Sequence, residues 1–117
     1  MGNFVDLKVW QLAKDLSIRV YLLTREGLIS QDFGLCRQMQ KSAVSIASNI
    51  AEGDESGSNR MAIRYFHVAK GSAAELMTQV IIAKEIGYLK EESAGELISC
   101  CKSIGAILNR LIQIRQS

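Results

Sequence analysis

Hydrophobic residues recur in steps of three and four along almost the whole chain, and the rhythm breaks at three places. Val5, Val9, Leu12, Leu16, Val20 and Leu23 form the first stripe, which predicts an amphipathic helix over about 4–26. Leu35, Met39, Ser42/Ala43, Ile46 and Ile50 form the second, predicting a helix over about 32–52. Ala62, Phe66, Ala69, Ala73, Leu76, Val80 and Ala83 keep a strict alternation of fours and threes, predicting a helix over 59–86. The last arc holds Leu97, Cys100, Cys101, Ile104, Ile107, Leu108, Leu111, Ile112 and Ile114, predicting a helix over 91–114. Breaks at 27–31, 54–59 and 87–89 are short, so successive helices fold back on one another. The expected fold is all-α, an antiparallel up-down-up-down four-helix bundle, with residues 1–117 as one domain.

End signals agree with these boundaries. Ser30 or Asp32 can cap the second helix, and Ser56, Ser58 or Asn59 the third, by accepting from free N–H groups. Gly27, Gly53 and Gly87 are read as C-terminal glycines, with Gly53 ending helix two in a left-handed conformation. Glu91, Glu92 and Glu96 precede Arg110 and Arg115 along the fourth helix, matching its dipole.

Two features exceed what a lone bundle needs. Ser42, Ala43, Ser45, Ala47, Ser48 and Ala51 make helix two small enough for a neighbouring backbone to come close. On helix three Gly71 costs ~1 kcal/mol relative to alanine, so it predicts close approach by another helix or subunit. Glu75, one turn later, then needs a cationic partner. The second feature is apolar surplus. Leu7, Trp10, Ile18 and Tyr21 project away from the first stripe, and Val68, Ile82 and Ile86 away from the third. The arc of helix four spans about half a turn of the wheel, where a core stripe needs ~100°. Such surfaces predict a homo-oligomer.

Asn49-Ile50-Ala51-Glu52-Gly53, Ala69-x-Gly71-Ser72-x-x-Glu75, Gly87-Tyr88, Leu7-x-Val9-Trp10-Gln11-x-Ala13 and Val20-Tyr21-x-x-Thr24 together resemble the four-helix-bundle proteins named for 23S rRNA intervening sequences. The likeness runs from about Leu7 to Leu89. It implies a homopentamer and a link to RNA or DNA. A related bundle, the accessory protein of diversity-generating retroelements, forms a positively charged pentamer working with reverse transcriptase and nucleic acid. Family members often carry a basic residue in the second connection, where this chain has Asp54 and Glu55.

Composition narrows the chemistry. Hydrophobic residues make up 48% of 117, with no proline to kink a helix. No unbroken apolar run nears the ~20 residues that span a bilayer, so no membrane partner is expected. The opening MGNFVD has Asp6 where myristoylation wants Ser or Thr, and no secretory signal is read. Three cysteines, Cys36, Cys100 and Cys101, fit a reducing, cytoplasmic setting and read as small buried hydrophobes.

A di-iron site needs Glu-x-x-His pairs; the one histidine, His67, follows Arg64. No base-orienting residue or oxyanion loop supports a Cys–His nucleophile, and no Walker lysine follows Gly53 or Gly57. No enzyme, metal or cofactor is expected. Net charge is +2. Arg37 with Lys41, and Arg60 with Arg64, are spaced one turn apart on outer faces. They read either as phosphate contacts, repeated around an oligomer, or as solvated charges balanced by Glu52, Asp54 and Glu55. Nucleic-acid binding and a pure protein-interaction scaffold are the two functional expectations.

Overall fold

Four helices account for nearly all of the computed structural model, which describes residues 3–116. Met1 and Gly2, where the myristoylation-like opening begins, and Ser117 lie outside the described residues. Helix α1 spans Lys8–Leu23, α2 Phe33–Glu55, α3 Asn59–Glu85 and α4 Glu91–Gln116. Short 3-10 turns, Phe4–Asp6 and Leu28–Gln31, precede α1 and α2.

The helices alternate in direction. Ser42 meets Glu75 while Ser45 meets Ser72, so α2 descends as α3 rises. Asn59 meets Arg115 while Lys70 meets Asn109, which makes α3 and α4 antiparallel. Arg19 and Glu96 tie α1 to α4 and close the bundle. The core is the one the periodicity marks: Leu16, Val20, Met39, Ile46, Ile50, Phe66, Leu76, Val80, Leu97, Ile104 and Leu108 are all almost fully buried. Fully burying one such side chain contributes roughly 1.5–3 kcal/mol.

Local chemistry explains the ends. Asp32 accepts from the Leu35 N–H at 3.0 Å and caps α2; Ser58 accepts from Met61 at 3.1 Å and caps α3. Gly87 adopts φ 85°, and the following Tyr88 N–H returns to the Ala83 carbonyl at 2.8 Å. The Tyr88 hydroxyl also donates to Asp32 at 3.2 Å, tying the α3–α4 turn to the start of α2.

Three expectations need correction. Helix one does not start at Phe4: Leu7 is extended (ψ 127°), and Val5 is 45% exposed. Leu7 and Trp10 are partly covered by packing against the core, with Trp10 edge-on to Phe4 at 5.2 Å. Gly53 does not end α2. The helix continues to Glu55, and the left-handed turn residue is Gly57 at φ 78°. Gly53 is there for space, because a Cβ would lie 2.6 Å from Cε1 of the buried Phe66. In α4 the surplus is mostly used inside one chain, since Cys100, Ile107 and Leu111 pack against the core and only Ile114 is largely exposed.

By length and composition alone α4 could cross a bilayer, with an 18-residue window of mean hydropathy 1.3. A search for an unbroken apolar run overlooks it because Lys102 and Arg110 interrupt the sequence. Its Leu97, Cys101, Ile104, Leu108 and Ile112 face the bundle interior.

Candidate functional site

Small residues bring α2 and α3 together, and the shortness of their side chains lets polar groups meet across the gap. Ser45 and Ser72 hydroxyls are 2.8 Å apart. Asn49 donates from its amide to the Ser45 carbonyl at 2.8 Å and to the Ser45 hydroxyl at 3.1 Å. One turn along, Ser42 donates to the Glu75 carboxylate at 3.2 Å. A cavity of about 330 Å³ opens beside them, lined by Gln38, Lys41, Ser42, Ser45, Glu75 and Gln79. Three motif positions, Asn49, Ser72 and Glu75, therefore converge on one polar seam, and Gly53 against Phe66 closes its far end.

The seam is not fully satisfied. Gln79 is only 7% exposed, and its Oε1 has no hydrogen-bond partner among the described residues. A buried acceptor left unpaired costs ~1–3 kcal/mol. Glu75 itself is exposed and accepts only from Ser42. Gly71 is exposed, and a Cβ there would meet nothing within 4 Å. The close approach expected at Gly71 is therefore not made within one chain among the described residues. Glu52 is exposed and takes no part in the hydrogen bonds of the seam among the described residues. Gln79 was missed from sequence, although a polar residue at core spacing between Leu76 and Ala83 is the signal that marks it.

A second, apolar groove runs between α1 and α2 on the other side of α2. It encloses about 530 Å³ between Trp10, Ile18, Tyr21, Leu22, Val44, Ala47 and Ala51, with Lys14 and Arg25 also lining it. Ile18, Tyr21 and Leu22 are each close to half exposed. On α3, Val68, Ile82 and Ile86 are also about half exposed. The seven surface positions expected from sequence thus divide: Leu7 is partly covered, Trp10, Ile18 and Tyr21 line this groove, and Val68, Ile82 and Ile86 stand on the outer side of α3 and its end.

Arg37, Lys41, Arg60 and Arg64 are all exposed. Among the described residues the ion pairs are Lys14–Asp15 and Arg19–Glu96, so none of the four is neutralised by a carboxylate. They form two pairs rather than one patch. Arg64 lies near the level of Gly53, which abuts Ala62 and Phe66. At 1.5 Å per residue Lys41 is about 18 Å further along α2. Lys41 leans over the seam cavity.

The remaining reactive side chains sit apart. His67 is exposed on α3. Cys36 is buried and donates its thiol to the Ile29 carbonyl at 3.0 Å. Among the described residues no three His, Cys, Asp or Glu side chains are grouped to hold a metal. Burial, then the Asp32 charge, raises the Cys36 thiol; burial raises Cys100; and burial pushes Cys101 up to about 12. Thiolates are the reactive form. Maleimide at pH 7 is therefore expected to label the folded chain slowly, and all three cysteines promptly in denaturant; rapid labelling of native Cys101 would contradict its burial. An unfolded thiol ionises near its ordinary value of 9.0 while native Cys101 holds its proton to about 12. Stability conferred by that retained proton is complete below pH 9 and is lost as pH rises towards 12. The urea midpoint should accordingly fall between pH 8 and 10.5.

Comparison with known proteins comes down to family and fold. The sequence profile described as "23S rRNA-intervening sequence protein" matches residues 5–110. A solved structure of a protein of unknown function from the S23 ribosomal protein family of Bacteroides thetaiotaomicron superposes with a TM-score of 0.82 at 20% identity, covering 89% of this chain and 97% of that one. No curated protein matches in sequence.

Proposed function

The chain belongs to the 23S rRNA-intervening sequence protein family, and from that premise we propose that it is a non-catalytic, self-associating bundle that contacts RNA or DNA through cations on the outer faces of α2 and α3. The observation that carries this reading is that Arg37, Lys41, Arg60 and Arg64 are exposed with no carboxylate within ion-pairing distance among the described residues. Free guanidinium and ammonium groups bind phosphate without regard to base sequence, and they release counterions in doing so. A net charge of +2 gives one chain little long-range pull. Repetition around a homo-oligomer, a pentamer by family resemblance, multiplies the field. Exposed apolar ridges on α1 and α3 support self-association, and three free cysteines suit a reducing cytoplasm.

A protein scaffold without nucleic-acid affinity is the second reading, favoured by the apolar groove between α1 and α2. Electrophoretic shift of a structured RNA at 50 mM and 200 mM salt separates the two. Binding at the lower concentration that weakens at the higher supports the first. No shift at 50 mM leaves the scaffold. Light scattering on the eluting protein tests self-association separately, and a monomer at micromolar concentration would remove it.

A further inference from the structure

We infer that the polar seam between α2 and α3 of one copy is completed by Arg25 from the α1–α2 groove of a second copy, so that two different faces of the bundle join head to tail. The inference rests on the self-association reading above and names its interface.

The seam holds acceptors that its own donors leave unmet: Lys41 lines the cavity, yet among the described residues it makes no ion pair with Glu75. Among the described residues Gln79 Oε1 is buried without a partner, and Glu75 accepts from Ser42 on one oxygen and from no side chain on the other. The cavity between them and Lys41 has room, at about 330 Å³, for a planar side-chain head. A guanidinium carries five N–H donors in a fixed plane and no acceptor. It can pair with the exposed Glu75 carboxylate, and it meets the Gln79 oxygen once that amide turns toward the cavity.

Arg25 is the complementary group. It is exposed at the groove, and its guanidinium makes no ion pair or hydrogen bond among the described residues. The helices behind the two charges also match. Arg25 stands in the turn just past the end of α1, where its N–H bonds to the Leu22 carbonyl; Tyr21 and Ile18 lie four and seven residues before it, as Gly71 and Val68 do before Glu75. With Arg25 placed on Glu75, Tyr21 falls on Gly71, where the direction of the missing Cβ is empty. Ile18, 50% exposed, then falls on Val68, 48% exposed. A bare glycine under an aromatic ring also gives a reason for a glycine inside α3 that nothing in its own chain supplies. The next turn would bring Lys14 opposite Arg64, so the favourable register is limited to three turns; Lys14 is held by Asp15 at 2.9 Å.

The offsets agree only when α1 and α3 run in the same direction. Within an up-down bundle they do, and copies side by side around one rotation axis preserve that relation. Since groove and seam are different surfaces, the contact is heterologous and repeats until the ring closes.

Light scattering after size exclusion tests this. Wild type is expected to be assembled, Arg25→Glu and Glu75→Arg each monomeric with unchanged helical content, and the double exchange Arg25→Glu/Glu75→Arg reassembled. A second experiment removes one face at a time. Tyr21→Lys blocks the groove and Gly71→Lys blocks the seam ridge, each giving monomer. Mixed one to one, they should form a two-chain species and nothing larger, because one live pair of faces remains. If wild type is assembled but both reversals stay assembled, or the double exchange does not recover, the pairing is wrong while self-association stands. If wild type is monomeric, both fall. A mixture that stays monomeric, or that builds full rings, overturns the head-to-tail arrangement.

Discussion

Replacing Gly53 with valine is expected to lower the free energy of unfolding by about 3 kcal/mol, an overpacking cost at the upper end of the usual range. The first added carbon would sit 2.6 Å from Cε1 and 2.9 Å from Cδ1 of Phe66, and 3.3 Å from the Ala62 carbonyl oxygen. Phe66 cannot swing aside. It is 1% exposed at the centre of the core, and Arg115 lies over its ring at 5.7 Å. Either α2 and α3 separate, exposing the Ser45–Ser72 bond to water, or the ring leaves its rotamer. Alanine at the same position should cost less, because the ~1 kcal/mol regained by removing a mid-helix glycine offsets part of the clash. Gly71→Ala provides the opposite sign. Its Cβ meets nothing, so in a background made monomeric by Arg25→Glu it should raise stability by about 1 kcal/mol. Urea titration followed by circular dichroism measures all three. Equal midpoints for wild type and Gly53→Val would show that the seam is not tight there.

These two glycines also show what the sequence could and could not convey. Four helices, their order and nearly all of the core followed from periodicity, since burial on one face dictates spacing and spacing is visible in a string of letters. Both of the helix caps sought were likewise among the residues named, Asp32 and Ser58. Gly53 was misread because a glycine before a polar linker has two physical uses, a left-handed turn or a close approach. Which one applies depends on Phe66, thirteen positions away in sequence. Leu7 was misplaced because it lies before α1, in extended backbone after the 3-10 turn at Phe4–Asp6; Trp10, inside α1, does share the groove side with Ile18 and Tyr21 but is partly covered. The seam was half legible. Asn49, Ser72 and Glu75 stood out as a motif, but the orphaned Gln79 oxygen and the gap beside it exist only once α2 and α3 are packed. Charge was less legible: the pairs Arg37 with Lys41 and Arg60 with Arg64 stand out in sequence, but their separation of about 18 Å along the bundle depends on how α2 and α3 pack.

That separation gives the second large effect. Arg60→Glu/Arg64→Glu is expected to weaken RNA binding about 100-fold at 50 mM salt and only about 10-fold at 200 mM. The numbers come from counterion release: each phosphate contact contributes roughly 0.7–0.9 to the slope of log affinity against log salt, so two lost contacts remove about 1.6. Arg37→Glu/Lys41→Glu should cost a similar amount, and the losses should add, since ~18 Å along the helix exceeds the distance at which substitutions usually couple. The two pairs are not electrostatically equal. Arg60 and Arg64 stand on the first turns of α3, whose free N–H groups add positive potential, yet Glu52 and Glu55 stand on the last turns of α2 beside them. Neutralising those carboxylates with Glu52→Gln/Glu55→Gln should therefore strengthen binding, most at low salt, and leave Arg37 and Lys41 unaffected. Affinity measured across at least three salt concentrations decides between the readings. A slope that drops with each reversed pair places phosphate on both faces. A slope that responds to one pair alone confines the contact to one end of the bundle. A slope unchanged by all four reversals means that these cations only keep the surface solvated, and the groove between α1 and α2 then becomes the working face.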